Sequence, residues 1–237
     1  MEDGKRILAV IPARGGSKGL PRKNILNCAG KPLLAWTVEA AQKSTYVDRV
    51  LVSTESQEIA DVAEDCGAWV PFLRPESLAQ DESTLEQVVK DIIDKLQGSY
   101  AFDYVMALQP TSPLRTFQHI DQAVEKFFSE RKSDADTLIS VQKIGSKILW
   151  ALGEKSGSGY LYSHFDKSLS SARRQMLPEC FTPNGAIYLA KVKGFDRFYG
   201  ERTLSYLMDD VASMDVDYQE DLDRAENLLA AQSDLQR

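Results

Sequence analysis

The residues best suited to do chemistry form a basic segment near the N-terminus, from Pro12 to Asn24. Four of its side chains are cations in a chain whose formal net charge is −7, namely Arg14, Lys18, Arg22 and Lys23. Its three glycines allow the backbone to turn tightly and to bring free N–H groups close to a ligand. Fixed cations beside unpaired amides predict a site for a small anion such as a polyphosphate, and the alternative is a solvated turn with incidental charge.

The spacing of the glycines in this basic segment argues against the two commonest phosphate-binding motifs. No GxxxxGK[ST] pattern fits, and Gly15, Gly16 and Gly19 do not have the spacing of GxGxxG. A P-loop NTPase and an NAD-binding enzyme are therefore disfavoured. The segment directly follows the apolar run Ile7–Ile11, which is typical of a central strand buried on both faces. Because open α/β sheets bind ligands at the carboxyl ends of their strands, this position favours the anion site.

Two further segments carry polar groups that could face the same ligand. Gln109–Arg115 follows a predicted strand, and its two prolines stiffen the backbone that holds an amide, two hydroxyls and a cation. The alternative is a rigid turn before a helix capped by Thr116. Asp215 and Asp217 are two residues apart, so on an extended segment they face the same way, as a Mg²⁺ site beside phosphates requires. The alternative is that Asp217 caps the last helix.

The remaining polar and reactive residues give weaker signals. Arg173–Gln175 is a second basic cluster, suited either to gripping a carboxylate or phosphate or to a surface ion pair. His119 and His164 have no metal-like neighbours in the sequence, so we expect them to be structural or exposed to solvent. The three cysteines are odd in number and lack CxxC spacing, which favours reduced thiols in a cytoplasmic protein.

The order of the predicted elements indicates an α/β fold. Apolar runs predict strands at Ile7–Ile11, Arg49–Ser53, Trp69–Leu73, Tyr104–Leu108, Thr137–Val141, Ala186–Ala190 and Thr203–Met208. Helical periodicity predicts helices that begin near Lys31-Pro32, Gln57, the capping-box pattern Ser83–Glu86, Phe117 and Glu220. The strict alternation up to Val141 is typical of βαβ units around a mainly parallel sheet.

Length and composition fit one globular domain. With 237 residues, of which 43% are hydrophobic, the chain can bury a full core, and we expect residues 1–237 to form a single domain. Net acidity argues against a nucleic-acid partner. The five apolar residues before Pro12 are too few for a signal segment or a membrane span, so we expect a cytoplasmic protein without membrane contact. Residues 143–175 are polar and rich in Gly and Ser, and we interpret them as an insertion that serves as an oligomerisation arm.

Taken together, these residues resemble the cytidylyltransferases that activate nine-carbon α-keto sugar acids, typified by CMP-sialic acid synthetase. The matching segments follow the family's order along nearly the whole chain, and they are Ile11–Asn24, Leu73–Pro75, Leu108–Thr116, Arg174-Gln175, Pro183–Tyr188 and Asp215–Asp217. The resemblance implies a Rossmann-like, mainly parallel (mixed) sheet flanked by helices, of the nucleotide-diphospho-sugar transferase type. It also implies a reaction in which the anomeric hydroxyl of a nonulosonic acid attacks the α-phosphate of CTP, with Mg²⁺ as cofactor, to give a CMP-sugar and pyrophosphate.

The resemblance further implies a role for each matching residue. The residues implied to contact the nucleotide are Ala13, Arg14, Gly15, Lys18, Lys23, Asn24, Arg74, Ser83 and Thr84. The residues implied to contact the sugar acid are Gln109, Thr111, Ser112, Lys147, Arg174, Gln175, Tyr188, Phe198 and Tyr199. Asp215 and Asp217 are implied to bind the metal, and with Arg14 and Lys23 they are the expected catalytic residues. Little covalent chemistry is expected of the protein, because positioning and charge neutralisation dominate such transfers.

The resemblance implies a homodimer and leaves the sugar open. Relatives dimerise by exchanging an arm, and residues 143–175 match that arm. Thr182 and Arg173 stand where sialate-specific bacterial relatives often have Arg and Pro. The main hypothesis is an N-acylneuraminate-type substrate, and the alternatives are legionaminate, pseudaminate and the eight-carbon acid Kdo. A non-catalytic nucleotide-binding protein is the alternative of another class, and the acidic pair argues against it, because binding alone needs no metal pair.

Overall fold

A computed structural model describes residues 4–130, 135–154, 160–170 and 172–235 of the chain. In these ranges the strands are β1 Ile7–Pro12, β2 Asn27–Cys28, β3 Lys31–Pro32, β4 Arg49–Ser53, β5 Tyr104–Ala107, β6 Thr137–Ile144, β7 Leu152–Glu154, β8 Leu161–Ser163, β9 Cys180–Lys191 and β10 Thr203–Leu207. The α-helices are α1 Leu33–Lys43, α2 Gln57–Asp65, α3 Leu85–Leu96, α4 Phe117–Glu130, α5 Lys167–Ser170 and α6 Gln219–Leu235. Short 3₁₀ helices cover Lys23–Ile25, Glu76–Leu78, Ser146–Trp150 and Arg174–Met176. None of the described helices is both long enough and apolar enough to cross a membrane.

Six strands form one sheet in the order β10-β6-β9-β5-β1-β4. β1 is parallel to both of its neighbours, β10 is parallel to β6, and β9 runs antiparallel between β5 and β6. The carboxyl ends of the five strands that share a direction therefore meet at one edge, together with the amino end of β9. This arrangement confirms the expected Rossmann-like, mainly parallel α/β fold, and β9 is the strand that makes the sheet mixed.

The sheet is buried on both faces because its central strand is apolar throughout. In β1, Ile7, Ala9 and Ile11 pack on the face covered by α1, α2 and α4. Leu8 and Val10 pack on the opposite face, which α3 covers. All five side chains are fully buried. This two-sided burial is why a continuous apolar run, and not an alternating one, marks the strand in the sequence.

A third apolar cluster joins the two ends of the chain. Helix α6 contributes Leu222, Ala225 and Leu229, which pack with Leu20 from the basic segment and with Val216 from between the two predicted metal-binding carboxylates. Leu20 and Val216 are both buried. Because burial of apolar surface is the main stabilising contribution to folding, this cluster fixes the basic segment against the carboxylate pair.

One predicted strand is wrong. Trp69 forms a single parallel bridge with Leu51, and no ladder continues beyond it toward Leu73 in the described structure. Pro71 has no N–H to donate to a neighbouring strand, so the segment cannot extend the sheet in a regular way. The segment instead runs past the edge of β4 and delivers Arg74, whose N–H donates to the carbonyl oxygen of Thr54 at 2.8 Å.

The capping box of α3 lies one residue later than predicted. The hydroxyl of Thr84 accepts a hydrogen bond from the N–H of Gln87, and the side chain of Gln87 accepts one from the N–H of Thr84. Ser83 precedes the cap, and its hydroxyl donates to the carbonyl oxygen of Ser77. Ser83–Glu86 and Thr84–Gln87 both fit the capping-box pattern, so the sequence pattern alone could not distinguish the two positions.

Asp217 does not cap the last helix. Helix α6 begins at Gln219, and the carboxylate of Asp221 accepts hydrogen bonds from the N–H groups of Asp217 and Tyr218. The helix start is therefore satisfied from inside the helix, and the alternative assignment of Asp217 as a cap is wrong. Its carboxylate is available to the site described below.

The predicted insertion, residues 143–175, consists of short elements between β6 and β9. It contains the 3₁₀ turn at Ser146–Trp150, the antiparallel pair β7–β8, α5 and the start of the turn at Arg174–Met176. Residues 155–159, which lie between β7 and β8, are outside the described residues. Large apolar side chains are exposed here, and they are Ile148, Leu152, Tyr160, Tyr162 and Phe165, while Met176 is exposed just after the insertion.

Candidate active site

A cleft of about 470 Å³ opens where the carboxyl ends of β1 and β5 meet at the edge of the sheet. Ten of the predicted site residues line it, and they are Arg14, Lys18, Lys23, Asn24, Arg74, Ser83, Thr84, Gln109, Thr111 and Asp217. They come from the beginning, the middle and the end of the chain. Ligand sites of open α/β sheets are expected in this position, because loops from neighbouring parallel strands diverge there.

The basic segment is held in shape by contacts to its own backbone and to α2. Asn24 is buried, and its side-chain amide donates to the carbonyl oxygen of Arg14 at 2.9 Å. Arg22 has a left-handed backbone conformation, with φ of 58°, and its guanidinium pairs with Glu58. A non-glycine residue in this conformation costs free energy, which the surrounding contacts offset. The segment is therefore a formed cradle with a fixed backbone.

Glu55, two residues after the end of β4, connects two walls of the cleft. Its carboxylate accepts a hydrogen bond from the N–H of Gly15 at 2.6 Å and another from the guanidinium of Arg74 at 2.8 Å. Burial raises the pKa of Glu55, but these hydrogen bonds and the charge of Arg74 outweigh burial and hold the pKa below its ordinary value. Glu55 thus fixes the glycine turn against Arg74, a buried residue predicted to contact the nucleotide.

The cations of the cradle are paired with carboxylates of the same cleft. Asp81 accepts a hydrogen bond from Arg14 Nη1 at 2.9 Å and also pairs with Lys18. Hydrogen bonds from Lys18 and Arg14 lower the pKa of Asp81. Lys23 Nζ lies 2.8 Å from Oδ1 of Asp217, and only 13% of the Lys23 side chain is exposed. A phosphate group that enters must compete with Asp81, because the same guanidinium and ammonium groups would bind both anions.

The basic segment and the carboxylate pair touch at Gly19. A Cβ atom at this position would lie 2.7 Å from the backbone oxygen of Asp217, which is closer than real Cβ contacts come. Only glycine allows two backbone segments to approach so closely. This contact brings the predicted phosphate-binding and metal-binding residues into one site.

The two predicted metal-binding carboxylates have different surroundings. Asp217 pairs with Lys23 at the mouth of the cleft. Asp215 lies against the turn after β5, where the N–H of Val216 donates to the carbonyl oxygen of Thr111 at 2.9 Å. Part of Asp215 reaches solvent, but burial of its carboxyl, followed by the like charge of Asp217, raises its pKa, although a hydrogen bond from Thr111 and the charge of Lys23 oppose the rise.

The chemistry of this pair fits Mg²⁺. The described residues contain no group of three or more His, Cys, Asp or Glu side chains that could hold a metal ion by itself. Two carboxylates suffice for Mg²⁺, however, because this ion keeps several waters and takes phosphate oxygens as further ligands. The pKa of Asp215 is raised mainly by burial and then by the like charge of Asp217. A divalent cation at Asp215 and Asp217 would favour the charged form of both carboxylates.

The predicted sugar-side residue Gln109 is in contact with β9. A Cβ atom at Gly185, whose φ is 77°, would lie 2.7 Å from Oε1 of Gln109. The preceding Asn184 is buried and fully engaged, since it accepts a hydrogen bond from the hydroxyl of Ser140 at 2.5 Å and donates one to Ser213 at 2.9 Å. This network ties the bend of β9 to the segment that leads into the carboxylate pair.

Seven of the nine predicted sugar-side residues do not line the cleft of this chain, and four of them are exposed. Lys147, Arg174 and Gln175 are exposed on the 3₁₀ turns at the two ends of the insertion. Tyr199 is 56% exposed after β9. Lys147 and Arg174 therefore face solvent and do not line the cleft.

Three other predicted residues belong to the core. Phe198 is fully buried, and its ring packs against Tyr188 and Phe195 at centroid distances of 5.4 and 5.0 Å. It presents no surface to a ligand, contrary to the expectation that its ring contacts the sugar. Ser112 and Ala13 are also fully buried. Tyr188 is half-buried, and burial raises the pKa of its hydroxyl.

Two carboxylates of the cleft escaped the sequence analysis. Glu55 had a usable signal, because it follows the end of a predicted strand just as the basic segment follows β1. Asp81 had none, because it stands with Glu82 in an acidic loop that looks like any solvated surface. In both cases the residue acts by pairing with a cation that the sequence analysis did identify, Arg74 for Glu55 and Arg14 for Asp81.

Comparison with known proteins bears on this site. The family model described as cytidylyltransferase matches residues 8–152. The chain is 40% identical over 217 residues to the CMP-N,N'-diacetyllegionaminic acid synthase of Legionella pneumophila, which covers 90% of this chain and 91% of that protein. It is 36% identical over 223 residues to an N-acylneuraminate cytidylyltransferase of Escherichia coli, covering 93% of this chain but only 51% of that longer protein. It is 31% identical over 226 residues to a pseudaminic acid cytidylyltransferase of Campylobacter jejuni, covering 93% of this chain and 95% of the relative.

Solved structures share the fold. CMP:2-keto-3-deoxy-manno-octonic acid synthetase complexed with CTP superposes with a TM-score of 0.70 at 15% identity, covering 96% of this chain and all of that one (100%). The 4-diphosphocytidyl-2C-methyl-D-erythritol synthase of Anaerococcus prevotii superposes with a TM-score of 0.65 at 14% identity, with the same coverage of 96% and 100%. The resemblance seen in the sequence is thus confirmed by the family model and by relatives that match nearly the whole chain. This chain belongs to the cytidylyltransferase family of nucleotidyltransferases.

Proposed function

We propose that this enzyme transfers CMP from CTP to the anomeric hydroxyl of a nine-carbon sugar acid of the N-acylneuraminate type and releases pyrophosphate. The observation that carries the proposal is the contact between Lys23 and Asp217, since it unites a cation suited to phosphates and a carboxylate suited to Mg²⁺ in one cleft. Relatives whose names state this reaction class on three different sugar acids match the chain at 31–40% identity.

The basic segment binds the triphosphate of CTP in this proposal. Arg14 and Lys18 exchange Asp81 for phosphate oxygens, and Arg74 lies on the opposite wall, where the nucleoside would sit. Because Asn24 fixes the backbone at Arg14, the cations are oriented before the ligand arrives. Preorganised positive charge is worth most where negative charge develops, which here is on the pyrophosphate that leaves.

The reaction itself forms a bond between the anomeric oxygen of the sugar and the α-phosphorus, and breaks the bond from that phosphorus to the oxygen bridging to the β-phosphate. The proton of the anomeric hydroxyl is released to solvent, and pyrophosphate is the leaving group. Mg²⁺ held by Asp215 and Asp217 would supply neutralisation of the triphosphate charge. Lys23 adds a further cation beside Asp217. Gln109 and Thr111 line the end of the cleft next to β9 and orient the sugar acid.

Legionaminate is the second candidate substrate, and a specific observation favours it. The relative named for a diacetyllegionaminic acid is 40% identical over 91% of its own length, whereas the N-acylneuraminate enzymes are matched over about half of theirs. Two positions depart from the sialate pattern. Thr182 lies at the amino end of β9, and Arg173 lies just before the last 3₁₀ turn. In this proposal both are on the sugar side of the sheet.

The active form in this proposal is a homodimer in which the insertion of one copy closes the cleft of the other. Support comes from the exposed cations Lys147 and Arg174 and from the exposed apolar side chains around them, such as Met176. Exposed apolar side chains mark interaction sites where they form a contiguous patch, and a partner copy would cover them. Sedimentation of the purified chain across a range of concentrations tests this, and an active monomer would contradict it.

The cytoplasm is the compartment that we propose. Cys28, Cys66 and Cys180 are all free, as expected where thiols stay reduced. Fractionation of the native cells with an antibody against the chain tests the assignment.

The deciding experiment measures pyrophosphate release by the purified chain with CTP, Mg²⁺ and a panel of sugar acids. The panel holds N-acetylneuraminate, legionaminate, pseudaminate and Kdo. We expect turnover with at least one nine-carbon acid and the highest kcat/KM to identify the substrate. Binding of CTP without turnover on any of them would instead support a non-catalytic nucleotide-binding protein.

A further inference from the structure

Arg115 is a cation in the protein core with no carboxylate partner among the described residues. Its side chain is the largest of those fully buried, with 1% exposed. Nη2 donates to the hydroxyl of Thr37 on α1 at 2.6 Å and to the carbonyl oxygen of Gln109 at 3.2 Å. Nε and Nη1 donate to no acceptor within the part of the chain that is described. Burial lowers the pKa of Arg115 to about 9.

Fold stability does not account for this residue. A buried charge without a counter-ion is costly, and an apolar side chain of similar volume usually packs in its place without loss of stability. A residue that breaks the rules of core composition without a compensating ion pair is most often explained by a functional requirement of the site it supports. The question is therefore which part of the site depends on Arg115.

The guanidinium of Arg115 lies beneath the turn that follows β5. The carbonyl oxygen to which it donates belongs to Gln109, the first residue of that turn, and the outer surface of the turn at Gln109 and Thr111 lines the cleft. Two residues further on, the carbonyl oxygen of Thr111 accepts the N–H of Val216. Val216 stands between the two carboxylates assigned to the metal. One chain of hydrogen bonds thus runs from Arg115 through the turn to the acidic pair.

We propose that Arg115 is a positioning residue for cytidylyl transfer, which anchors the Gln109–Thr111 turn to α1 and thereby sets the position of Gln109 and of the segment that carries Asp215 and Asp217. The inference rests on the proposed function and deepens it. In this proposal Arg115 helps to align the sugar acid and the metal, although it contacts neither of them. A small displacement of reacting groups lowers kcat strongly, because the barrier depends on near-attack geometry.

The test replaces Arg115 by Met, which keeps much of the volume and removes the charge and the donors. For Arg115→Met we expect kcat to fall by about tenfold or more, with KM for CTP within about twofold of wild type, because Asn24, Glu58 and Glu55 hold the cradle of residues 12–24 by contacts outside the turn. The melting temperature should stay the same or rise, since an unpaired buried charge is removed. Arg49→Met is the matched control, because Arg49 stacks on Trp69 at the start of β4, at the opposite end of the sheet, and its kcat should equal wild type.

The combination of kcat and melting temperature decides the outcome. A fall in kcat at an unchanged or higher melting temperature supports the proposal. An unchanged kcat overturns it, and so does a parallel loss of kcat and melting temperature, which would make Arg115 a packing residue. Should Arg115→Met fail to fold, Arg115→Lys decides, because it keeps the charge but cannot reproduce the planar pair of donors. We expect kcat to fall about threefold for this variant, and wild-type kcat would overturn the proposal.

A second readout does not depend on turnover. Hydrogen exchange in the peptides that cover residues 109–114 and 214–218 should be faster in Arg115→Met, while exchange in β1 and β5 stays at the wild-type rate. Unchanged exchange in both peptides contradicts the positioning role. If wild type turns over no sugar acid, the proposed function fails, whereas the exchange experiment still reports whether Arg115 holds the turn.

Discussion

The cleft and the insertion of residues 143–175 carry the two halves of the predicted site, and they are built in opposite ways. In the cleft, side chains that could bind CTP are fixed by buried contacts, as Asn24 and Glu55 show. In the insertion, Lys147 and Arg174 stand on short 3₁₀ turns and face solvent. Most of the predicted nucleotide-side residues therefore lie in one cleft of this chain, whereas most of the predicted sugar-side residues lie outside that cleft.

This difference matches the names of the relatives. They agree on the cytidylyl group and differ in the sugar acid, which is a legionaminate, an N-acylneuraminate or a pseudaminate. A rigid part of the site is suited to a ligand that does not vary, because the conformational entropy of its side chains is already lost when the protein folds. A half on exposed loops can change with the substrate, because loops accept substitution with little effect on the core. The predictions below test this division, in order of expected effect.

The largest effect should follow removal of Asp215, the carboxylate next to the turn that is proposed to bind Mg²⁺. For Asp215→Ala we expect kcat to fall by about 10³-fold, since loss of a bound divalent ion removes several kcal/mol of charge stabilisation. Binding of CTP, measured by calorimetry, should change far less, because Arg14, Lys18 and Lys23 remain. Asp210→Ala is the control from the same loop, and it should behave as wild type. Normal turnover by Asp215→Ala would show that the carboxylate pair is not part of the active site.

The second prediction asks whether the sugar half comes from a partner. Lys23→Ala and Arg174→Ala should each lower activity by roughly 100-fold through loss of a preorganised charge. If the insertion of one copy serves the cleft of the other, mixing the two variants creates mixed dimers with one intact site each, and about a quarter of wild-type activity returns. Activity that stays at the level of the single variants would show that both halves come from the same chain.

Glu55 should contribute to stability in a pH-dependent way. Glu55→Gln is expected to lower the free energy of unfolding at pH 7 by about 2 kcal/mol, because the acceptor of two hydrogen bonds loses its charge. The pKa of Glu55 is lowered in the folded state, so this contribution is present above the unfolded value of about 4.3 and is lost as the pH falls through the folded value. Denaturant titrations at pH 7 and in acid measure it. Glu58→Gln, which removes an exposed pair with Arg22, should have little effect at either pH.

Asp81 should oppose nucleotide binding. For Asp81→Asn we expect CTP to bind on the order of fivefold more tightly, because the phosphates no longer compete with a carboxylate for Arg14 and Lys18. Calorimetry with CTP and with pyrophosphate measures the change, and both ligands should gain. Weaker binding of CTP would mean that Asp81 orients the cations in the complex and does not merely occupy them.

The smallest effect concerns the start of α3, which borders the cleft. Thr84→Ala should lower the free energy of unfolding by about 1 kcal/mol through loss of the helix cap. Ser83→Ala should change it by less than about 0.5 kcal/mol, because Ser83 precedes the cap. Thermal unfolding of the two variants compares them directly. A larger loss of stability for Ser83→Ala than for Thr84→Ala would show that Ser83 is the cap, as the pattern Ser83–Glu86 first predicts.

The sequence predicted the parts of the molecule whose signals are local. The strand Arg49–Ser53 has its predicted bounds and helix α4 begins at Phe117 as predicted, because burial and periodicity depend on adjacent residues. Trp69–Leu73 was wrong because sheet membership also depends on a neighbour, and Pro71 limits what this segment can donate. The helix cap at Thr84 was displaced because two registers satisfy one pattern.

The site followed the same rule. Arg14, Lys23 and Asp217 were identifiable because cations with glycines and paired carboxylates are unusual in any segment. Asp81 was not, because its importance arises only from the fold that brings it to Arg14 and Lys18. Phe198 was assigned to the sugar by its place in a resemblance, and its burial depends on packing with Tyr188 that no local pattern encodes.

The pairing of Lys23 with Asp217 has a consequence for folding during synthesis of the chain. The two residues are 194 positions apart, so the site closes one of the longest loops in the chain. During synthesis the sheet residues from β1 to β10 emerge before the carboxylates and α6 do. A nascent chain would therefore contain the basic segment for many seconds before Asp215 and Asp217 are synthesised. If Asp215 and Asp217 act as proposed, activity is expected only after α6, which packs against Val216, has folded onto the rest of the chain.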